Sequence, residues 1–239
     1  MDNRQIASIA ASTDLGENSY KLAEFIQSKK NSTFVDIGVR HGYSSSILGM
    51  DSKKNKNTVY GIDVNFDNLI GDIIEDVDYY QLAGDSVTIG KHADLKELES
   101  IDVLFVDSLH MRCQVLCELY YWVPRLKDGG TIIFHDSHWP EGKRSEIGGK
   151  SWRRVDEAIT DFFNLDTLKN KKDDNLTVEC YPGSWGMTFI TVKDVSKLES
   201  KSIDWNDVFQ SRNELISIFW NKDNVGDRTI ELELTYEPN

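Results

Sequence analysis

The 239-residue chain contains no uncharged apolar run near the roughly 20 residues that a membrane-crossing helix needs, so no span is expected. Its three cysteines, Cys113, Cys117 and Cys180, cannot all pair within one chain, and reduced thiols are expected. Positive charge is scarce: 27 Lys and Arg against 40 Asp and Glu leave a net charge of −13. That balance repels phosphate backbones and anionic lipid unless a basic patch overrides it, and Lys and Arg cluster only in short groups such as Lys53-Lys54. Neither nucleic acid nor a membrane is an expected partner. The opening MDNRQIASIAAS lacks a basic n-region and a continuous apolar h-region, which makes a cytoplasmic location the expectation. Internal repeats and low-complexity segments are also missing.

What is present is an alternation of helical and strand signals, the pattern of a parallel sheet with covering helices. Strands are expected at Thr33–Ile37, Thr58–Asp63, Tyr79–Leu82, Ile101–Asp107 and Thr131–His135, with crossover helices between them. Leu176–Tyr181 and Met187–Val192 flank the turn-rich Pro182-Gly183-Ser184-Trp185-Gly186 and read as an antiparallel hairpin at the sheet edge. After the fourth strand, Leu116, Leu119, Val123 and Leu126 recur at helical spacing, and Pro124 with Gly129-Gly130 ends that helix. A later helix is expected over Ser151–Asn164. Residues 1–30 suggest a helical cap, residues 31–192 the sheet domain, and residues 193–239 an extension. The extension combines a helix over Val208–Trp220 with a period-two strand at Ile230, Leu232, Leu234 and Tyr236, which would supply an edge strand or a homodimer contact.

The stretch TFVDIGVRHGYSSSIL, residues 33–48, places a glycine turn between a strand and a helix. A dinucleotide fingerprint, G-x-G-x-x-G, needs its second glycine for backbone approach to a pyrophosphate, but counting from Gly38 that place holds Arg40 and the third holds Tyr43. No Gly-Lys-Ser/Thr closes the turn as a P-loop would. The pattern that remains, D-x-G-x-x-x-G-Y-S over Asp36, Gly38, Gly42, Tyr43 and Ser44, resembles the class I S-adenosylmethionine-dependent methyltransferases, and more closely their small-molecule O-methyltransferases. The order of later stretches fits that resemblance: Asp63 in VYGIDVN, Gly84-Asp85-Ser86, and LFVDSLHMRCQVLCELYYWVPRLKDGGTIIFHDSH from Leu104 to His138.

The resemblance implies a Rossmann-like, doubly wound, mostly parallel seven-stranded sheet with an antiparallel terminal hairpin. It also implies that S-adenosylmethionine is held by Asp36, Gly38, Arg40, Gly42, Tyr43, Ser44, Asp63, Asp85, Ser86 and Asp107, with Asp63 on the ribose hydroxyls and Asp85 by the adenine. The reaction expected is methyl transfer to a hydroxyl of a small molecule, a sugar or another hydroxylated metabolite. Methyl transfer is an in-line displacement, so the protein mainly aligns the acceptor and removes its proton. His110, three residues after Asp107, is the expected base, because a neutral imidazole can act near neutral pH.

Asp107 and Asp136 could hold a divalent cation. Metal-dependent relatives follow the second acid with Asn or Asp, whereas here the pair reads Asp136-Ser137. A hard ion such as Mg²⁺ would need only carboxylates and water, while His135 or His138 would suit a softer one; Asp107, Asp136 and His138 are the candidate ligands. The spacing of His110, Cys113 and Cys117 supplies no second Cys/His pair, which leaves those cysteines as core residues. Trp139, Trp152 and Trp185 are candidates to line an acceptor pocket, and WPEGKRSEIGGK, residues 139–150, suggests either a substrate lid or a surface loop. Three alternatives stand beside the methyltransferase: a metal-dependent hydroxylase of the same fold, a binding protein that keeps the fold without catalysis, and an NAD dehydrogenase.

Overall fold

The computed structural model describes residues 3–92, 96–143, 145–147 and 150–219. The chain starts with two helices, α1 (Asn3–Ala11) and α2 (Asn18–Ile26), and then enters the sheet at β1 (Thr33–Ile37). Two short helices, α3 (Tyr43–Leu48) and α4 (Ser52–Asn55), lead to β2 (Thr58–Asp63). After α5 (Gly71–Ile74) come β3 (Tyr79–Ala83), α6 (Ser86–His92) and β4 (Ile101–Val106). The next crossover is α7 (Arg112–Trp122), which delivers the chain to β5 (Leu126–His135). A small antiparallel ribbon, β6 (Ser145–Ile147) with β7 (Lys150–Trp152), precedes α8 (Val155–Phe162). The edge of the main sheet follows, with β8 (Lys171–Lys172), β9 (Leu176–Tyr181) and β10 (Met187–Val192), and then α9 (Trp205–Phe219).

The main sheet has the order β3-β2-β1-β4-β5-β10-β9-β8, parallel from β3 through β5 and antiparallel from β10 outward. The expected seven strands are all present, and the two-residue β8 adds an eighth. Both faces are covered, which is why these strands read as nearly continuous apolar runs rather than as alternations. Because successive side chains point to opposite faces, Phe34, Val59, Val103, Phe105 and Ile133 pack against α1, α2 and α3. Val35, Ile62, Leu104, Val106 and Phe134 pack instead under α6, α7, α8 and α9. The N-terminal segment therefore covers a sheet face, with Leu22 and Ile26 buried and the Phe25 ring 5.3 Å from that of Phe189.

Three boundaries differ from expectation. The Gly129-Gly130 pair does not separate helix from strand; β5 begins at Leu126, and the register slips between Ile101↔Leu126 and Val103↔Thr131, so Asp128-Gly129 is accommodated as a bulge. The helix expected from Ser151 starts four residues later, because Arg153 has φ +61 and Arg154 sits at φ −120, ψ 37, and neither has the helical backbone. The expected helix over Val208–Trp220 is α9, whereas the strand around Ile230–Tyr236 lies outside the described residues. No described helix is long and apolar enough to cross a membrane.

Candidate active site

Strand order reverses between β1 and β4, and an open cleft of about 250 Å³ lies there, at the carboxyl ends of the strands. Its walls include Ile37 and Gly38 after β1, Ile62 and Asp63 on β2, Gly84 to Ser86 after β3, Ser108 and Leu109 after β4, and Gln114 of α7. Of the residues expected to hold the cofactor, Gly38, Asp63, Asp85 and Ser86 line this cleft.

Gly38 has φ +90, and a Cβ there would lie 2.2 Å from the backbone oxygen of Asp107. The glycine thus lets the loop after β1 touch the loop after β4, which carries the acid. Gly42 caps α3 in the left-handed region at φ +87. Asp63 accepts a hydrogen bond from the Arg40 backbone N–H at 2.8 Å, which fixes the turn.

Other expected cofactor residues have different partners. Asp36 is fully buried and accepts from Ser44 Oγ at 2.8 Å and Ser45 Oγ at 2.5 Å, so this acid and these serines join strand to helix. Burial pushes the Asp36 carboxyl up to about 7, against the two serine hydrogen bonds and with help from the charges of Asp107 and Asp63. The Arg40 side chain is exposed and pairs with Asp14 at 2.9 Å. Tyr43 is half-buried at the start of α3, its ring edge-on to His41.

Asp85 caps α6 by accepting from the backbone and hydroxyl of Thr88 at 2.8 and 2.7 Å, and its other oxygen pairs with Arg212 of α9. Beneath the cleft lies Glu118, fully buried on α7, whose Oε1 accepts from Ser86 Oγ at 2.5 Å, Ser108 Oγ at 2.6 Å and Gln114 Nε2 at 2.9 Å. Burial raises the Glu118 carboxyl above its ordinary range. This polar layer was not anticipated; the signal for it was a carboxylate four residues after Gln114 on the otherwise apolar side of α7.

The loop after β4, which also gives Ser108 and Leu109 to the cleft, and the end of β5 bring together Asp107, His110 and Asp136, with one donor atom from each within 4.8 Å of the others. His110 Nε2 lies 3.2 Å from Asp107 Oδ1 and 3.0 Å from Asp136 Oδ2. His135 Nδ1 approaches Asp107 Oδ1 at 3.2 Å. Asp136 adopts φ +54, an unfavourable conformation held by the surrounding structure, and its buried Oδ1 has no hydrogen-bond partner. Two carboxylates, an imidazole and an unsatisfied buried oxygen suit a divalent cation. Cis donors around an ion with bonds of about 2.1 Å stand about 3 Å apart, close to the separations of His110 Nε2 from the two carboxylates.

The expected ligand His138 is not in this group. Its Nδ1 meets Ser137 Oγ at 2.9 Å, and Ser137 in turn meets Thr188 Oγ1 at 2.9 Å, so Ser137 faces β10, and among the described residues the donor that joins Asp107 and Asp136 is His110. His110 also departs from the neutral base expected of it. Burial favours the neutral ring, but hydrogen bonds to Asp107 and Asp136 and their charges outweigh it and raise the pKa to about 10. His135 is raised to about 9 against burial, chiefly by the charge of Asp107. Burial lowers His138 below its ordinary value. Cys113 and Cys117 are buried in the core, and burial pushes the Cys117 thiol up to about 12, as suits an inert residue.

Beside the carboxylate group, Trp139 and Trp185 stack with ring centroids 4.0 Å apart, and the Arg153 guanidinium lies 3.9 Å over Trp139. The turn carrying Trp185 is braced from the N-terminus: Asn18 Nδ2 donates to the Gly183 carbonyl at 2.5 Å, and the Trp185 carbonyl accepts from the His138 backbone at 2.7 Å.

Residues 35–137, which contain most of the cleft wall and all three members of the carboxylate–imidazole group, match the family described as a methyltransferase domain. That match covers less than half of the chain. No curated protein matches the chain. Among solved structures, MycE, a methyltransferase of the mycinamycin biosynthetic pathway in complex with Mg, SAH and mycinamycin VI, is similar with a TM-score of 0.55 at 15% identity, over 89% of this chain and 59% of that one. The cofactor-bound protein Rv0187 from MTB is similar with a TM-score of 0.57 at 11% identity, over 80% and 90% of the two chains. A candidate O-methyltransferase from Klebsiella pneumoniae gives 0.52 at 15% identity, over 73% and 79%. These likenesses establish the Rossmann-like methyltransferase fold, whose sheet, switch point and cleft are those described above.

Proposed function

We propose that this domain moves the methyl group of S-adenosylmethionine to a hydroxyl of a small molecule, beside a divalent cation held by Asp107 and Asp136, with His110 adjoining them. The observation that carries the reading is the convergence of these three residues on the loop that also gives Ser108 and Leu109 to the cleft and on the neighbouring end of β5, next to walls that include Gly38, Asp63 and Asp85. Asp63 offers a carboxylate to a ribose, and Gly38 leaves backbone room for the amino-acid end of the cofactor. The mycinamycin complex of MycE, with Mg and SAH, supports both the cation and the cofactor class. A sugar or similar polyhydroxylated metabolite is the acceptor class proposed.

When bound, a divalent cation supplies a Lewis-acid contact that lowers the pKa of the acceptor hydroxyl. Asp107 and Asp136 orient that hydroxyl. In the bare cluster the hydrogen bonds and charges of Asp107 and Asp136 outweigh burial and favour the imidazolium form of His110. Once their charge is committed to a cation, that pull ends and His110 can take a proton. A second reading rests on His138: burial keeps its imidazole neutral near pH 7, two residues beyond Asp136, so His138 would accept the proton while His110 remains a ligand.

Methyl transfer from labelled S-adenosylmethionine to a panel of sugars and catechols, with and without a chelator, tests the function. Turnover abolished by chelation and restored by Mg²⁺ or Mn²⁺ is expected; cofactor binding without turnover on any acceptor would favour the non-catalytic alternative. Comparing His110→Gln with His138→Gln separates the two bases. The base variant loses kcat at unchanged cation affinity, whereas the ligand variant loses cation affinity.

A further inference from the structure

Helix α9 lies outside residues 35–137, yet it places one side chain directly behind the wall of the cleft. Arg212 is 8% exposed. Its Nη2 pairs with Asp85 Oδ1, and its Nε donates to Gln114 Oε1 at 2.9 Å. Both partners line the cleft.

These contacts fix more than charge. A carboxylate offers about four acceptor sites. Thr88 occupies two of them on Asp85 Oδ2, and Arg212 takes one on Oδ1, which leaves one Oδ1 site for a ligand. On Gln114, the Arg212 contact commits the carbonyl, so the amide nitrogen must face Ser86 Oγ at 3.2 Å and Glu118 Oε1 at 2.9 Å. The flipped amide would set two donors against each other. One guanidinium, with its rigid fork of donors, therefore sets the acceptor direction of Asp85 and the orientation of Gln114 together.

We propose that Arg212 is a positioning residue for base recognition: it aims the remaining acceptor site of Asp85 at the exocyclic amine of the adenine, and so makes the C-terminal helix part of the cofactor site. The proposal rests on the reading of the cleft as an S-adenosylmethionine site. A ligand that keeps the purine but replaces the exocyclic amine with an oxygen would lose this contact and would meet an acceptor with an acceptor.

The test is calorimetric titration of the full chain with S-adenosylhomocysteine and with S-inosylhomocysteine, its 6-oxo analogue. The wild type is expected to prefer the adenosyl ligand at least tenfold. Arg212→Met should cut adenosyl affinity by tenfold or more and leave inosyl affinity nearly unchanged, so the preference collapses. A structural weakening would reduce both affinities in parallel and leave their ratio intact, and that result would overturn the proposal. If Arg212→Met does not fold, Arg212→Lys keeps the charge but cannot serve Asp85 and Gln114 with the same fork; it should lower the ratio, and an unchanged ratio again refutes the role. A wild type that binds neither ligand refutes the cofactor reading itself, and one that binds both equally refutes only the part given to Asp85 and Arg212.

Discussion

Replacing Asp36 with Asn should change how stability depends on pH. The Asp36 carboxyl is fully buried, with its Oδ1 unpartnered, and burial raises its pKa from 3.8 to about 7 in the folded chain. A raised folded-state pKa means that the native protein binds the proton more tightly than the unfolded chain does. The contribution is therefore complete below about pH 4 and is lost as pH rises through about 7. The difference of about 3 units corresponds to about 4 kcal/mol at most, at 1.36 kcal/mol per unit. Asn cannot ionise but still offers an oxygen to Ser44 and Ser45. Asp36→Asn should thus differ from the wild type by about 1 kcal/mol or less at pH 4.5 and gain on it steadily toward pH 8, where the wild type must bury a charge. Urea denaturation of both proteins at pH 4.5, 6 and 8 measures this, and taking the difference cancels the other titrating groups. A difference that stays flat from pH 5 to 8 would refute the reasoning and would mean that the charge is compensated within the strand-to-helix turn.

Gly38→Ala should cost about 1–2 kcal/mol from the left-handed backbone alone, and more because its Cβ would press on the Asp107 backbone at 2.2 Å; thermal melting should show the loss, together with weakened cation affinity. Asp136→Ala should reduce Mn²⁺ affinity, read by isothermal titration or electron paramagnetic resonance, at least tenfold while leaving S-adenosylhomocysteine affinity within about twofold; equal loss of both would place the acid in the cofactor site instead. Phe134→Ala, at a fully buried position between β5 and α8, should destabilise the domain by about 3–5 kcal/mol in urea.

The parallel sheet was legible because its strands are short apolar runs ended by acids and separated by amphipathic segments, and β1, β2, β9 and β10 have the limits read from the sequence. Boundaries slipped where single residues override pattern: Arg153 with its positive φ delays α8, and the bulge at Asp128-Gly129 lets β5 begin before the glycines. The strand ends in the candidate site were legible as well, since Asp63, Asp85, Asp107 and Asp136 are all acids at or just after strand termini. Side-chain direction was not. Asp36 turns inward to two serines, and Ser137 turns toward Thr188, because the pleat and the local hydrogen bonds decide which face each residue meets. The link from Arg212 to Asp85 spans 127 positions, beyond the reach of any local pattern.

The brace between Asn18 and the Gly183 carbonyl gives the opening helices a task that sheet coverage does not explain. Through the Trp185 carbonyl and the His138 backbone it joins the first twenty residues to the rim next to Asp136. With Arg212 reaching Asp85 from the far end of the described chain, the cleft is gripped on its two sides by segments outside residues 35–137. Variation in those flanks can then retune the two sides of the cleft separately, without altering the strands that lie between them.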